Sequence, residues 1–183
     1  MFSLLGLSLL VSEIVLGLRR RSQTGAEKKD RGTLRMLWVI ILLSIASGYL
    51  AAQLDLGPHL PGERSWIVIG VVLFVLGATL RWWSVLHLGR FFTVDVAVAS
   101  DHRLIDNGPY RFVRHPSYTG LLLEFTGLAF CLGHVVSLAV ILLPIFFAQR
   151  RRIEVEERAL QEKLGEPYHQ YCARTKRLLP FLY

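Results

Sequence analysis

The sequence predicts an all-α integral membrane protein with about five transmembrane helices, including a tight helical hairpin, and a cytoplasmic C-terminal region. Three observations support this. Hydrophobic residues make up 52% of the 183-residue chain and mean hydropathy is +0.42, too apolar for an ordinary soluble domain. Apolar runs of about membrane-spanning length alternate with short polar segments. The basic residues, which leave a net charge of +7, gather in alternate polar segments rather than along the whole chain, as the positive-inside rule requires. Nucleic-acid binding would also fit a pI near 9.8, but basic clusters separated by apolar runs are better explained by membrane orientation.

Phe2 to Leu18 is apolar except for Ser3, Ser8, Ser12 and Glu13. A signal peptide carries its positive charge before the apolar core; here Arg19, Arg20 and Arg21 follow it and no small-residue cleavage site appears, so the run reads as the first spanning helix. Glu13 is costly in lipid and is expected to face another helix or the interface. Arg19 to Arg35 carries seven Lys/Arg, with Gly25 and Gly32 marking a cytoplasmic loop. Leu34 to Leu54 is the second helix, and the proline-containing loop Asp55 to Ser65 belongs outside. Trp66 to Leu88 is the third, with Trp66, Trp82 and Trp83 as an interfacial belt and Arg81 marking its cytoplasmic end.

Gly89 to His115 returns to the cytoplasmic side, and its Val-rich part, Phe91 to Ala99, reads as an extended segment on the membrane surface. A helix begins at Pro116 and runs to about Cys131, Gly133-His134 reverses the chain, and Val135 to Gln149 returns. Each arm, of about sixteen residues, spans roughly 24 Å, just short of the bilayer core, so a hairpin that barely spans fits best. Pro116 and Arg150 are thereby neighbours. From Arg150 the chain enters a charged helix that Gly165 caps. The amino terminus is outside and the carboxyl terminus inside. The chain thus divides into residues 1–88, a scaffold of three helices, and residues 89–183, which carry the polar motifs.

Within that region, Gly108 to Gly120 reads GPYRFVRHPSYTG. Gly108-Pro109 makes a turn and Pro116 suits the first helical position. The first-turn amides around Ser117 and Tyr118 are free for an anionic group. Arg111, Arg114, His115, Tyr110 and Tyr118 gather into the inventory of a polar pocket. On the charged helix, Arg152 and Glu156 stand four apart and can pair, as can Glu154 and Arg158. One reading is a stabilising surface ion pair; the other is a functional pair facing the hairpin. A guanidinium suits a substrate carboxylate because its donors form a fixed fork.

RHPSYTG, preceded by HRLIDNGPY and followed by RRIEVEERALQEKLGEPYHQYCARTKRLLP, closely resembles the isoprenylcysteine carboxyl methyltransferase family over roughly Asp95 to Pro180. The resemblance implies a membrane-embedded enzyme that transfers a methyl group from S-adenosylmethionine to a carboxylate. It maps substrate binding and catalysis onto Arg152 and Glu156. Cofactor binding maps onto His102, Arg103, Leu104, Ile105, Tyr110, His115, Pro116, Ser117 and Tyr118, with Asp95 also near the cofactor. The compact size and short loops look like a bacterial or archaeal member, whose acceptor need not be a prenylated protein.

The residues agree in outline. An extended HRLI backbone can bond an adenine edge, aromatic rings can cover it, and no GxGxxG suggests a conventional dinucleotide fold. An ionised carboxylate acceptor needs positioning more than a base, which assigns Arg152 to orienting it and Glu156 to holding Arg152 or the sulfonium end. The acceptor is a lipophilic or prenylated substrate entering from the bilayer, among membrane lipids. Two other classes stay open: a membrane methyltransferase acting on a phospholipid amine or thiol, with Glu156 as base, and a reductase-like or non-catalytic relative. Glu124 lines the lipid entrance or bonds a neighbouring helix. Glu157 is a solvated or bridging carboxylate, and Tyr168 and Tyr171 are packing residues. His87, His134 and His169 lack ligand spacing, as do Cys131 and Cys172, so no metal site is expected.

Overall fold

The structure, a computed structural model, describes residues 1–19, 27–28, 32–94, 97–98 and 101–180. Its helices are α1 (Phe2–Arg19), α2 (Thr33–Gln53), α3 (Glu63–Leu88), α4 (Pro116–Phe130), α5 (Val135–Leu164) and α6 (Glu166–Arg174). Two short strands, β1 (Glu27–Lys28) and β2 (Ala97–Val98), pair antiparallel and join the segments that follow α1 and α3. Of the helices, α1, α2 and a span over Arg64–Phe91 are long and apolar enough to cross a membrane.

The pattern on α3 is that of a helix bathed in lipid. Val68, Val72, Val75 and Leu76 stay exposed while Gly70, Phe74, Gly77, Arg81 and Ser84 turn inward, because apolar surface costs nothing against hydrocarbon and association depends on close backbone packing. The antiparallel partner α4 shows the same economy. A Cβ at Gly77 would lie 2.6 Å from the Gly120 carbonyl oxygen, and one at Gly70 would lie 2.6 Å from that of Gly127. Two glycines seven apart on each helix therefore bring the backbones into contact. On the other side, α2 packs antiparallel to α5. Leu37 and Ile41 of α2 share an apolar cluster with Ile141 and Ile145 of α5. The buried Ser137 hydroxyl donates to the Gly48 carbonyl at 2.7 Å.

Arg81 does not mark the end of α3. It is buried, two turns before Leu88, with Nε 2.6 Å from Glu13 Oε1 and Nη2 2.9 Å from Glu13 Oε2, while Nη1 donates to Ser117 Oγ at 2.9 Å and to the Ser117 carbonyl. Glu13 thus faces another helix, as expected. Beside it the Trp82 indole donates to Ser12 Oγ at 2.9 Å, so this tryptophan bonds inward, while Trp83 is 50% exposed.

The hairpin turn falls at residues 131–133, with Gly133 at φ 70°. The second arm and the charged helix, expected as separate elements, are one helix, α5. Gln149 to Arg152 are good helix formers, and no stop signal follows until Gly165, whose φ of 60° ends the helix. The short α6 was not foreseen. After it the chain returns to the start of α4: the Arg114 and His115 amides donate to the Lys176 and Arg177 carbonyls at 2.8 and 2.9 Å, and Thr119 Oγ1 donates to the Leu178 carbonyl at 2.7 Å.

Gly77→Ala is expected to cost about 1–3 kcal/mol through overpacking against α4. A lowered thermal midpoint of the detergent-solubilised chain would read this out. Gly6→Ala, whose methyl meets nothing within 4 Å, should match wild type.

Candidate functional site

At the end of the bundle where α1 and α3 finish and α2 and α4 begin, a cavity of about 1180 Å³, counted to its open mouth, runs between the helices and the chain at 91–94 and 102–105. One wall is apolar: Leu34, Leu37, Trp38 and Ile41 of α2, with Leu121 of α4. Another part of the lining is polar and is built by the segment His102-Arg103-Leu104-Ile105, Tyr110, and the first turn of α4.

The polar wall is shaped by local turns. Gly108, at φ 56°, is pressed against the His87 imidazole, where a Cβ would lie 2.6 Å away, and His87 Nε2 is 2.6 Å from Asn107 Oδ1. His87 thereby fixes the turn that carries Tyr110. The Tyr110 ring is buried, and its carbonyl accepts from the Tyr171 hydroxyl at 2.6 Å. His102 packs against Phe91 with ring centroids 4.9 Å apart, and its Nδ1 is buried without a hydrogen-bond partner. Burial lowers the His102 pKa, against the raising effect of Glu156 and Asp101, so the ring is held neutral.

Arg152 and Glu156 both line this cavity, but the connection between them runs through a third residue. Arg152 Nε donates to the Tyr118 hydroxyl at 2.9 Å, and that hydroxyl donates to Glu156 Oε2 at 3.0 Å. The remaining Arg152 nitrogens donate to Thr33 Oγ1 at 3.4 Å and to the Val94 carbonyl. One guanidinium therefore ties α2, the 92–94 segment, α4 and α5 together. Glu154, expected to pair with Arg158, instead lies 3.3 Å from Arg150 and 3.8 Å from Arg151.

His115, Ser117 and Tyr118 line the cavity as the sequence suggests, yet their polar atoms are largely engaged. The Tyr118 amide, expected to be free, donates to the His115 carbonyl at 3.0 Å. Pro116 is buried and sets the helix start without lining the cavity. His115 Nε2 is 3.3 Å from Glu157 Oε1. Arg114 lines the cavity, but its guanidinium donates to Glu157 Oε1 at 3.0 Å and to the Cys172 and Thr175 carbonyls. Arg111 stays exposed, and Asp95 lies outside the described residues. Glu124 is 1% exposed, does not line the cavity and keeps one oxygen unpartnered. Tyr168 and Tyr171, read as packing residues, are buried and also line the cavity. Sequence reading missed Thr33, the Val94 carbonyl and the aromatic pair Phe91–Phe92 on the cavity wall; no local pattern singles them out.

Glu157 proves to be the bridging carboxylate. Besides His115 and Arg114 it accepts from Arg177 Nε at 3.0 Å and Nη2 at 2.7 Å. Burial alone would raise its pKa, but the hydrogen bonds from His115 and Arg177 and the charges of His115 and Arg114 outweigh this and hold it at about 2. A depressed carboxylate contributes stability above its unfolded pKa and loses it as pH falls through the folded one. The advantage of wild type over Glu157→Gln in thermal midpoint should therefore be full at neutral pH and shrink as pH falls from 4.5 to about 2. A difference that stays constant across that window would contradict the assignment.

The isoprenylcysteine carboxyl methyltransferase (ICMT) family model matches residues 68–162, which include the α3–α4 pair, the cavity's polar wall and the Arg152–Glu156 turn. A probable protein-S-isoprenylcysteine O-methyltransferase of Oryza sativa subsp. indica is 31% identical over 124 residues, 66% of this chain and 65% of the relative. Protein-S-isoprenylcysteine O-methyltransferase B of Arabidopsis thaliana is 32% identical over 129 residues, 67% of this chain and 64% of the relative. The chain thus spans a little less than two thirds of the length of these relatives. The solved structure of the eukaryotic intramembrane Ras methyltransferase ICMT superposes with a TM-score of 0.66 at 25% identity, covering 79% of this chain and 52% of that one. With its helical membrane fold matched and more than half of its 183 residues covered by the family model, this chain belongs to the isoprenylcysteine carboxyl methyltransferase family.

Proposed function

We propose that this protein is a membrane-embedded carboxyl O-methyltransferase that uses S-adenosylmethionine to methylate a lipophilic acid of the prenylcysteine type. The observation that carries this reading is the Arg152–Tyr118–Glu156 chain on the wall of a cavity whose two sides differ in chemistry. The polar side fits the donor. His102 Nδ1 is a buried polar atom in need of a partner, in a lining that also holds Arg103, Leu104 and Ile105 and the Phe91 and Tyr110 rings. The apolar side, Leu34 to Ile41 with Leu121, fits a lipid tail entering from the bilayer.

S-adenosylmethionine, when bound, supplies an activated methyl group on a cationic sulfur. Arg152 grips and orients the acceptor carboxylate through its paired donors, exchanging the Val94 carbonyl and Thr33 hydroxyl for substrate oxygens. Tyr118 holds Arg152 in register with Glu156. The Glu156 carboxylate offers a counter-charge to the cationic sulfur. The apolar wall excludes water, which strengthens each of these electrostatic contacts. His115 and Pro116 act by shaping the start of α4. This account makes α4 and the first half of α5 a fourth and fifth span, sets the cavity end on the cytoplasmic side with the amino terminus opposite, and makes residues 1–88 the scaffold and 89–183 the catalytic region.

Titration of the detergent-purified chain with S-adenosylmethionine, and with NADPH in parallel, should give saturable binding of the first alone, weakened in His102→Ala. Methyl transfer to a prenylcysteine acid should fall in Arg152→Ala and Glu156→Ala. In Tyr118→Phe it should fall roughly 10- to 150-fold, the value of a hydrogen bond to a charged group. Binding of NADPH alone would mark a reductase-like relative. Undiminished methylation of an amine by Arg152→Ala would point to an amine acceptor, with Glu156 as base.

A further inference from the structure

At the opposite end of the bundle from the cavity, the α2–α3 loop meets the α4–α5 turn. The Leu60 amide donates to the Gly133 carbonyl at 2.7 Å and the Val135 amide donates to the Pro58 carbonyl at 3.1 Å. Between these two bonds stand His59 and His134, paired in an antiparallel bridge. They occupy the non-hydrogen-bonded position, where opposed side chains are closest. Their imidazoles lie with centroids 4.1 Å apart. Asp55, four residues before His59, reaches the same spot: its Oδ1 is 2.7 Å from His59 Nε2 and 3.9 Å from His134 Nε2. One potential ligand atom from each residue lies within 4.8 Å of the others.

We propose that Asp55, His59 and His134 form a binding site for a divalent transition-metal ion of the zinc class, which clips the α2–α3 loop to the α4–α5 turn. Two imidazoles and one carboxylate are a donor set for zinc or its neighbours rather than for magnesium or calcium, which prefer all-oxygen shells. Three protein ligands leave the fourth tetrahedral position to water. With bonds of about 2.0–2.1 Å, tetrahedral ligand atoms stand about 3.3 Å apart. One of the two measured distances is shorter than this and the other longer, each by less than 1 Å. The adjustment falls on side chains able to make it, since those of His59 and Asp55 are 64% and 72% exposed.

His134 is the fixed member. It is 5% exposed, and Nε2 is the nitrogen that faces Asp55, while its Nδ1 is buried with no hydrogen-bond partner. Asp55 is held by its backbone in the left-handed region, φ 52°, a conformation Asp tolerates better than most residues and which turns the loop back toward the hairpin. An exposed Asp–His contact on its own is worth little. What distinguishes this one is a second, buried imidazole held alongside it by the backbone.

The test uses the untagged full chain in detergent, stripped with EDTA and titrated calorimetrically with Zn2+, with Mg2+ as control. Expected is one saturable Zn2+ site per chain, a thermal midpoint raised by several degrees on binding, and no response to Mg2+. His59→Ala and Asp55→Asn change exposed side chains and should keep the metal-free midpoint of wild type, yet each should weaken Zn2+ binding at least tenfold and abolish the zinc-dependent rise. Absence of a saturable site in wild type, or Zn2+ binding of equal affinity in His59→Ala, overturns the proposal. The second result would assign the metal to histidines elsewhere in the chain.

Discussion

A guanidinium within an apolar bundle has to be satisfied by protein, and Arg81 meets that requirement with three of its nitrogens: two on the Glu13 carboxylate and one on Ser117. Much of the architecture at the cavity end follows from it. α1, apart from its apolar contacts, is held by Glu13 and by the Ser12–Trp82 bond. The Ser117 contact draws the first turn of α4 to a defined depth on α3, and the paired glycines fix their distance. Breaking such a pair by removing one partner leaves a buried charge, costing about 3–5 kcal/mol. The pair is thus a constraint on how the helices may assemble more than a net source of stability.

The start of α4 is clamped from two directions. Arg81 holds Ser117 from within the bundle. On the outer side Glu157 gathers His115, Arg114 and Arg177, and the chain after α6 bonds the Arg114 and His115 amides. Tyr118 projects between these anchors toward Arg152 and Glu156. A hydroxyl held in this way keeps one orientation, because its hydrogen is committed to the carboxylate and its lone pair to the guanidinium. That preorganisation suits the proposed methyl transfer, whose demand is alignment more than proton transfer.

What could be read from the sequence was whatever depends on local periodicity and local chemistry. Apolar runs gave α1 to α3, Gly133 and Gly165 gave a reversal and a helix end, and the HRLI and RHPSY motifs gave most of the cavity's polar wall. What could not be read depended on partners far apart in the chain. Arg81 looks like an end marker until Glu13, 68 residues earlier, is beside it. Arg152 and Glu156 look like a helical ion pair until Tyr118 intervenes. The break expected near Arg150 came from a change in composition, yet composition alone does not end a helix. His134 seemed isolated because its companions lie across a loop contact. The glycines of α3 and α4 carried a usable signal, a spacing of seven on both helices, whose meaning appears only once the two are opposed.

The continuity of α5 gives these long-range contacts a common frame. From Val135 to Arg152 the helix continues through Pro144 and rises about 26 Å. Its buried stripe passes through Ile141, Ile145, Ala148 and Arg152, at intervals of four, three and four. The intervals that seat the apolar half against α2 therefore also aim Arg152 and, one turn on, Glu156 at the cavity. Each residue adds about 100° of rotation, so the direction of Arg152 is set by packing that begins at the far end of the helix, where His134 caps it. The position of Arg152 at one face of the bundle depends in this way on how the hairpin is fastened at the other. A separate, hinged charged helix would have left the guanidinium free to turn away from Tyr118.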